Sequence, residues 1–240
     1  MVSGKETVTA GGAQTPAIPL RLRFRKTGNM QYISHLDLLR TMEHATMRAA
    51  LPMRFSAGFN PHAKITFALP LSVGAESLTE CMDVQLERPV DYTWAIKAMN
   101  KQLPEDLAVF AASAGVYKVG QIGFAEYEIR LFYDGASAGD AAQLEALYKA
   151  PLIVTKRTKS GEKETDIAPM IARADCTYED GAVVIRARLS AGGERGILNP
   201  EYLLRAAERY LSLPLGDPER AECRILRREL YLTDNCTVFA

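Results

Sequence analysis

One order of elements, strand, helix, strand, strand, helix, strand, reads twice along this chain and limits its fold more tightly than any single motif. From Leu20 to Phe24 apolar and basic residues alternate, the period-two pattern of a strand with one buried face. Arg21, Arg23 and Arg25 then share the other face. Ser34 with Asp37 after it makes a helix cap, and Leu36, Leu39, Met42, Ala45 and Ala49 recur at helical spacing until Pro52. Ile65, Phe67 and Leu69 alternate as a second strand, and Met82, Val84 and Leu86 as a third that stops before Pro89. Trp94, Ile96, Ala98, Met99 and Leu103 fall on a helical segment, and Leu107 to Ala111 closes the set.

The second half nearly repeats it. Glu126 to Tyr133 reads as a strand and Asp140 to Lys149 as a short helix. Ala168 to Thr177 and Ala182 to Leu189 read as a hairpin turning at Asp180-Gly181. Asn199 caps a helix that starts at Pro200 and presents Leu203, Leu204, Ala207 and Leu211 on one side. Cys223 to Leu232 is the closing strand. The one extra piece, 152–167, reads as an inserted hairpin with a tip too polar for a core. The expected fold is therefore α+β: two tandem ferredoxin-like (βαββαβ) domains, at 18–115 and 124–240, the second carrying the inserted hairpin. Glycines at 115, 120 and 123 interrupt the pattern between them. Residues 1–17 are small and polar and read as a disordered tail.

Charge and cysteine usage narrow the function. Basic and acidic residues balance at 29 each, so any contact with nucleic acid must come from a local patch. Cys81, Cys176, Cys223 and Cys236 are too far apart for a zinc ribbon, a redox pair or an iron–sulfur cluster. They read as structural thiols in a cytoplasmic protein. No apolar run approaches membrane-spanning length, and no membrane contact is expected.

The stretch from Ser56 to Lys64, Ser-Ala-Gly-Phe-Asn-Pro-His-Ala-Lys, has no periodicity that a core would require, and it is where function is expected. Gly58 can take positive φ, and Asn60 before Pro61 is held extended. His62 and Lys64 then offer an imidazole and an ammonium. His35 and Asp37 flank Leu36 in the first helical turn, so His35, Asp37, Asn60, His62 and Lys64 are candidate substrate-binding residues. A His-x-Asp pair on a helix points its two side chains apart, which disfavours shared metal ligation. The plain alternative is that Ser34 and Asp37 cap the helix while His35 and His62 stabilise loops. Lys156, Arg157 and Lys159, at the tip of the inserted hairpin, are candidates for phosphate contact.

Other features carry alternatives. Arg21, Arg23 and Arg25 suit an RNA platform, but pairing with Asp83, Gln85 and Glu87 across the neighbouring strand is the stronger expectation. The stretch 192–196, Gly-Gly-Glu-Arg-Gly, precedes a helix and suits either a phosphate cradle or a flexible connection. Arg224, Arg227 and Arg228 on the last strand read as edge protection.

Three stretches, 32–37 (Tyr-Ile-Ser-His-Leu-Asp), 55–62 (Phe-Ser-Ala-Gly-Phe-Asn-Pro-His) and 64–71 (Lys-Ile-Thr-Phe-Ala-Leu-Pro-Leu), resemble an uncharacterised bacterial domain family known as radical SAM-linked. Ala63 departs from the family's usual proline after the histidine. The resemblance implies company rather than a reaction: such domains follow a radical SAM domain or stand alone, encoded near ribosomal proteins and an RNA-processing endonuclease. With no closely spaced cysteines to hold the cluster, this chain is expected to serve a radical SAM enzyme as a substrate-binding or docking partner. Its expected partners are thus RNA, of the transfer or ribosomal class, and a radical SAM protein. No cofactor, no metal and no complete catalytic set follow from the residues. Two rivals stand beside this reading: a metal-independent RNA endonuclease, by analogy of fold, and a protein-binding scaffold independent of RNA.

Overall fold

The computed structural model describes residues 16–57, 59, 61–158 and 161–240. The tail expected over 1–17 lies, up to residue 15, outside the described residues, as do Gly58, Asn60, Lys159 and Ser160.

The first half runs β1 (Ile18–Lys26), α1 (His35–Arg48), β2 (Ile65–Phe67), β3 (Ala75–Leu86), α2 (Tyr92–Asn100) and β4 (Leu107–Ser113). The second half runs β5 (Ile122–Tyr133), α3 (Ala138–Tyr148), the hairpin β6 (Ile153–Thr158) and β7 (Gly161–Asp166), β8 (Ile171–Glu179), β9 (Ala182–Ser190), α4 (Glu201–Leu211) and β10 (Ala221–Leu232). The expected alternation in β1 holds. Leu20, Leu22 and Phe24 are buried with Met82, Val84 and Leu86 of β3 and with Leu38, Met42 and Ala45 of α1.

α1 starts where the sequence places it. Ser34 Oγ accepts the Asp37 amide at 3.1 Å, and Ser34 donates its own proton to the Asp37 carboxylate at 2.7 Å. α4 begins one residue later than expected. Pro200 occupies the cap position, while Asn199 Oδ1 accepts from the Glu201 amide at 3.1 Å.

The strands form one mixed sheet in the order β4-β1-β3-β10-β5-β9-β8, with β2 also paired to β3. In each half the fourth strand flanks the first, and the third lies between the first and the second. Where the sequence reading places two tandem units, a single sheet runs through both. The reason is that β3 is longer than β2 can cover. β2 pairs antiparallel with Met82 to Val84, and the start of β3, Ala75 to Ser77, pairs instead with Ile225 to Arg227 of β10, in parallel. The inserted hairpin stays outside as its own two-stranded sheet.

That junction overturns two expectations. β10 is a central strand, so Arg224, Arg227 and Arg228 do not guard an edge, and Arg227 is wholly buried. Gly123 lies inside β5, not in a linker, because a Cβ there would sit 2.6 Å from Thr233 Cα and only glycine allows so close an approach. Two apolar cores result. The second-half core reaches across the seam to include Ala68, Leu69 and Cys81.

Candidate functional site

The stretch singled out in the sequence folds as a small hairpin standing off the end of β3. Met53 bridges Leu86 and Phe55 bridges Ala63. Arg54 N donates to Gln85 O at 2.7 Å, Lys64 N to Arg54 O at 3.2 Å and Ser56 N to His62 O at 2.9 Å. Ser56 closes the hairpin. Its Oγ accepts the His62 amide at 3.1 Å and lies 3.0 Å from His62 Nδ1. Local turn chemistry explains this shape, since a hydroxyl that satisfies backbone and ring nitrogen together holds a short loop without a core.

The described candidate residues engage different neighbours. His62 sits in the hairpin ahead of β2. His35 is at the start of α1, edge-on to Phe67 at the far end of β2, with ring centres 5.3 Å apart. Asp37 is engaged in the α1 cap and faces Arg40 at 3.3 Å. Lys64 is exposed beside His62, and Asn60 lies outside the described residues. Among the described residues no three His, Cys, Asp or Glu side chains are grouped to hold a metal.

What sequence reading missed here is aromatic. Phe59 is fully exposed and Phe55 is 42% exposed, both on the hairpin with His62 and Lys64. A protein seldom leaves two phenylalanines in water on one loop without a partner for them. The signal was present, since no core periodicity accounts for a phenylalanine at either position.

The inserted hairpin turns one of its candidate cations inward. Lys156 Nζ donates to Ile197 O at 3.3 Å and lies 5.5 Å from the centre of the Tyr202 ring, and burial lowers its pKa. Arg205 lies 5.2 Å from the same ring. Arg157 is on β6 opposite Glu162, and Lys159 lies outside the described residues.

The first amides of α4 are bonded within the fold, so the helix start offers no free donors to the phosphate-cradle reading of 192–196. Gly196 N donates to Gly193 O, Leu198 N to Ser190 O, Tyr202 N to Asn199 O and Leu203 N to Pro200 O. Of the three arginines of β1, Arg21 pairs across to β3 as expected, Arg23 pairs instead with β10, and Arg25 is exposed. Arg21 Nε and Nη2 reach Asp83 at 2.7 and 2.8 Å, and Arg23 Nη2 reaches Glu229 at 2.8 Å.

At the seam Arg227 is ion-paired to Glu80. It also donates to Leu69 O at 2.9 Å and Pro70 O at 3.3 Å. Burial opposes its charge, but Glu80 beside it and Tyr127 outweigh that and raise its pKa. Cys81 and Cys176 are buried free thiols, and burial pushes them up to about 11 and about 12. They stay protonated at neutral pH, which suits packing and not nucleophilic chemistry. No helix among the described residues is long and apolar enough to cross a membrane.

Comparison with curated proteins returns no match. Among solved structures, a chain of a Cbf5-Nop10-Gar1 complex matches with a TM-score of 0.47 and 9% identity over 89% of this chain, which spans 49% of the other. An unknown protein from Galdieria sulphuraria matches with a TM-score of 0.25 and 12% identity, over 88% of this chain and 99% of that one. A family profile matches residues 19–200, and by that match the chain belongs to the family described as an uncharacterized protein conserved in bacteria, DUF2344.

Proposed function

We propose that this chain is an RNA-associated accessory protein, built from two ferredoxin-like halves, that binds substrate for or docks with a radical SAM enzyme in RNA or ribosome metabolism. The strand order repeated in both halves supports the ferredoxin-like reading. The radical SAM link rests on the resemblance carried by 32–37, 55–62 and 64–71. The observation that carries RNA contact is the hairpin, where exposed Phe55 and Phe59 stand beside exposed His62 and Lys64. Rings that stack on unpaired bases, together with a cation for the phosphates, are what single-stranded RNA recognition uses.

The test is titration of the full chain with single-stranded RNA oligomers and with transfer RNA at several salt concentrations. Binding should weaken steeply as salt rises, and Phe59→Ala should weaken it about tenfold through the loss of one stacked base. Absent or salt-insensitive binding defeats the RNA reading. A complex with a radical SAM protein that survives nuclease treatment supports docking, and its loss on digestion places RNA between the two proteins.

A further inference from the structure

Of the three arginines that alternate along β1, Arg25 is the one left without a hydrogen bond or ion pair among the described residues, since Arg21 is tied to Asp83 and Arg23 to Thr79 and Glu229. Ala108 of β4 is its cross-strand partner. The acids close by in the chain are engaged elsewhere: Glu76 accepts from Gly28 N at 2.6 Å and Asp106 from Asn29 N at 3.0 Å. Arg25 lines an open cleft of about 480 Å³ together with Leu78, Asn100, Ala108, Val109 and Phe110, a volume within the range of ligand sites.

The cleft keeps apolar surface in water, with Phe110 48% and Leu78 39% exposed. The register of β4 explains why a phenylalanine is turned outward. Val109 pairs with Phe24 and Ala111 with Arg23, so Phe110 is the extra residue of a bulge, a device that re-aims a side chain. Arg23 brings its guanidinium to 5.4 Å from the centre of the Phe110 ring and so supports that ring from the sheet.

β4 ends the sheet, but its edge is closed to an added strand at this point. Asn100 Nδ2 donates to Val109 O and Val109 N donates to Asn100 Oδ1, each at 2.8 Å. With both outward backbone groups of Val109 taken, an extended peptide has no ladder to join here. What the cleft offers is a ring to lie against and a free guanidinium for an anion. A nucleotide carries both partners in one unit, a flat base that stacks on an aromatic ring and a phosphate that accepts from arginine.

We infer that the cleft beside Phe110 binds one nucleotide of a single-stranded RNA, its base stacked on Phe110 and its phosphate held by Arg25. The inference rests on the proposed RNA association and adds a second contact, on the sheet, to the hairpin that carries Phe55 and Phe59.

The experiment is titration of the full chain with a single-stranded RNA oligomer at several salt concentrations. Phe110→Ala should weaken binding about tenfold, the loss of one stacked base, while Phe110→Tyr, which keeps the ring, should retain wild-type affinity. Arg25→Gln should weaken binding and reduce the slope of log affinity against log salt by about 0.7, the share of one phosphate on a single strand. Unchanged affinity in both Phe110→Ala and Arg25→Gln overturns the assignment, and RNA association then stands alone if Phe59→Ala weakens binding in the same assay. Equal losses in Phe110→Ala and Phe110→Tyr overturn the stacking role.

NMR titration with adenosine, guanosine, cytidine and uridine 5′-monophosphates, with ribose 5-phosphate as the base-free control, separates the cleft from the wider RNA reading. At least one nucleotide should shift the Leu78 and Phe110 signals, and ribose 5-phosphate should leave Phe110 in place. Such shifts in a chain with no affinity for the oligomer keep the cleft as a nucleotide site and remove RNA association. A chain that binds neither the oligomer nor any nucleotide overturns both.

Discussion

Arg227 and Glu80 show how much one side chain depends on partners that a linear reading cannot supply. Both are buried, and their pairing is completed by the carbonyls of Leu69 and Pro70. Removing one member of such a pair leaves an uncompensated charge in the seam, whereas removing both leaves a packing defect. Arg227→Met should therefore destabilise the protein by about 3–5 kcal/mol, and adding Glu80→Met should restore part of the loss. Urea unfolding of the three variants checks this, and a double variant no better than Arg227→Met alone would show that the carbonyl contacts matter more than the charge pair. Glu179 is the exposed counterpart. Hydrogen bonds from Arg186, at 2.8 Å to each oxygen, and then from Thr177 hold its pKa at about 2 against an ordinary 4.5. A carboxylate with a depressed folded-state pKa stabilises fully above its unfolded value and loses that effect as pH falls toward the folded one. The stability gap between wild type and Glu179→Gln should stay flat from pH 7 to about 5 and shrink as pH falls from about 4.5 toward 2. A gap unchanged down to pH 2.5 would contradict it.

Elements whose stability is local were legible in the sequence, and those set by distant backbone were not. The α1 cap needs only Ser34 and Asp37, three positions apart, and it was found to the residue. The inserted hairpin was recognised from a polar tip between two strand-like runs, as β6 and β7 bear out. Gly123 misled because glycine has two uses, turning a chain and letting another chain approach, and only the position of Thr233 decides between them. That position also sets the outcome of substitution. Gly123→Ala would place a Cβ 2.6 Å from Thr233 Cα and 2.9 Å from Thr233 N, both backbone atoms of the segment that follows β10, so neither can rotate away. It should cost about 1–3 kcal/mol, as overpacked sites do. Gly120→Ala, with nothing within 4 Å of the new Cβ, should stay within about 0.5 kcal/mol of wild type. Thermal unfolding of the pair checks the contrast, and equal midpoints would mean that the β5–β10 end yields more easily than its geometry implies.

At the scale of the whole molecule, the sequence showed two similar halves and hid how they join. Each half satisfies its own periodicity, and nothing in the alternation of β3 or β10 announces that Ala75 to Ser77 pairs with Ile225 to Arg227. The same blindness hid the bond that Asn199 Nδ2 donates to Ser72 Oγ across the seam, between residues 127 positions apart in the chain. One continuous sheet has a consequence that two linked units would lack. The second-half core takes in Leu69 and Cys81 from the first half, and a buried ion pair crosses between β3 and β10, so neither half can open without exposing the other's apolar surface or stranding a charge. Unfolding should then be a single transition. Trp94, the one tryptophan of the chain, lies on α2 in the first half, so its fluorescence follows that half, while far-ultraviolet circular dichroism follows both. The two signals should trace superimposable curves in urea with one midpoint. If the tryptophan signal moves at a separate denaturant concentration, the halves unfold independently and the seam is a weak contact between two domains. If Arg227→Met splits curves that coincide in the wild type, the buried pair is what couples them.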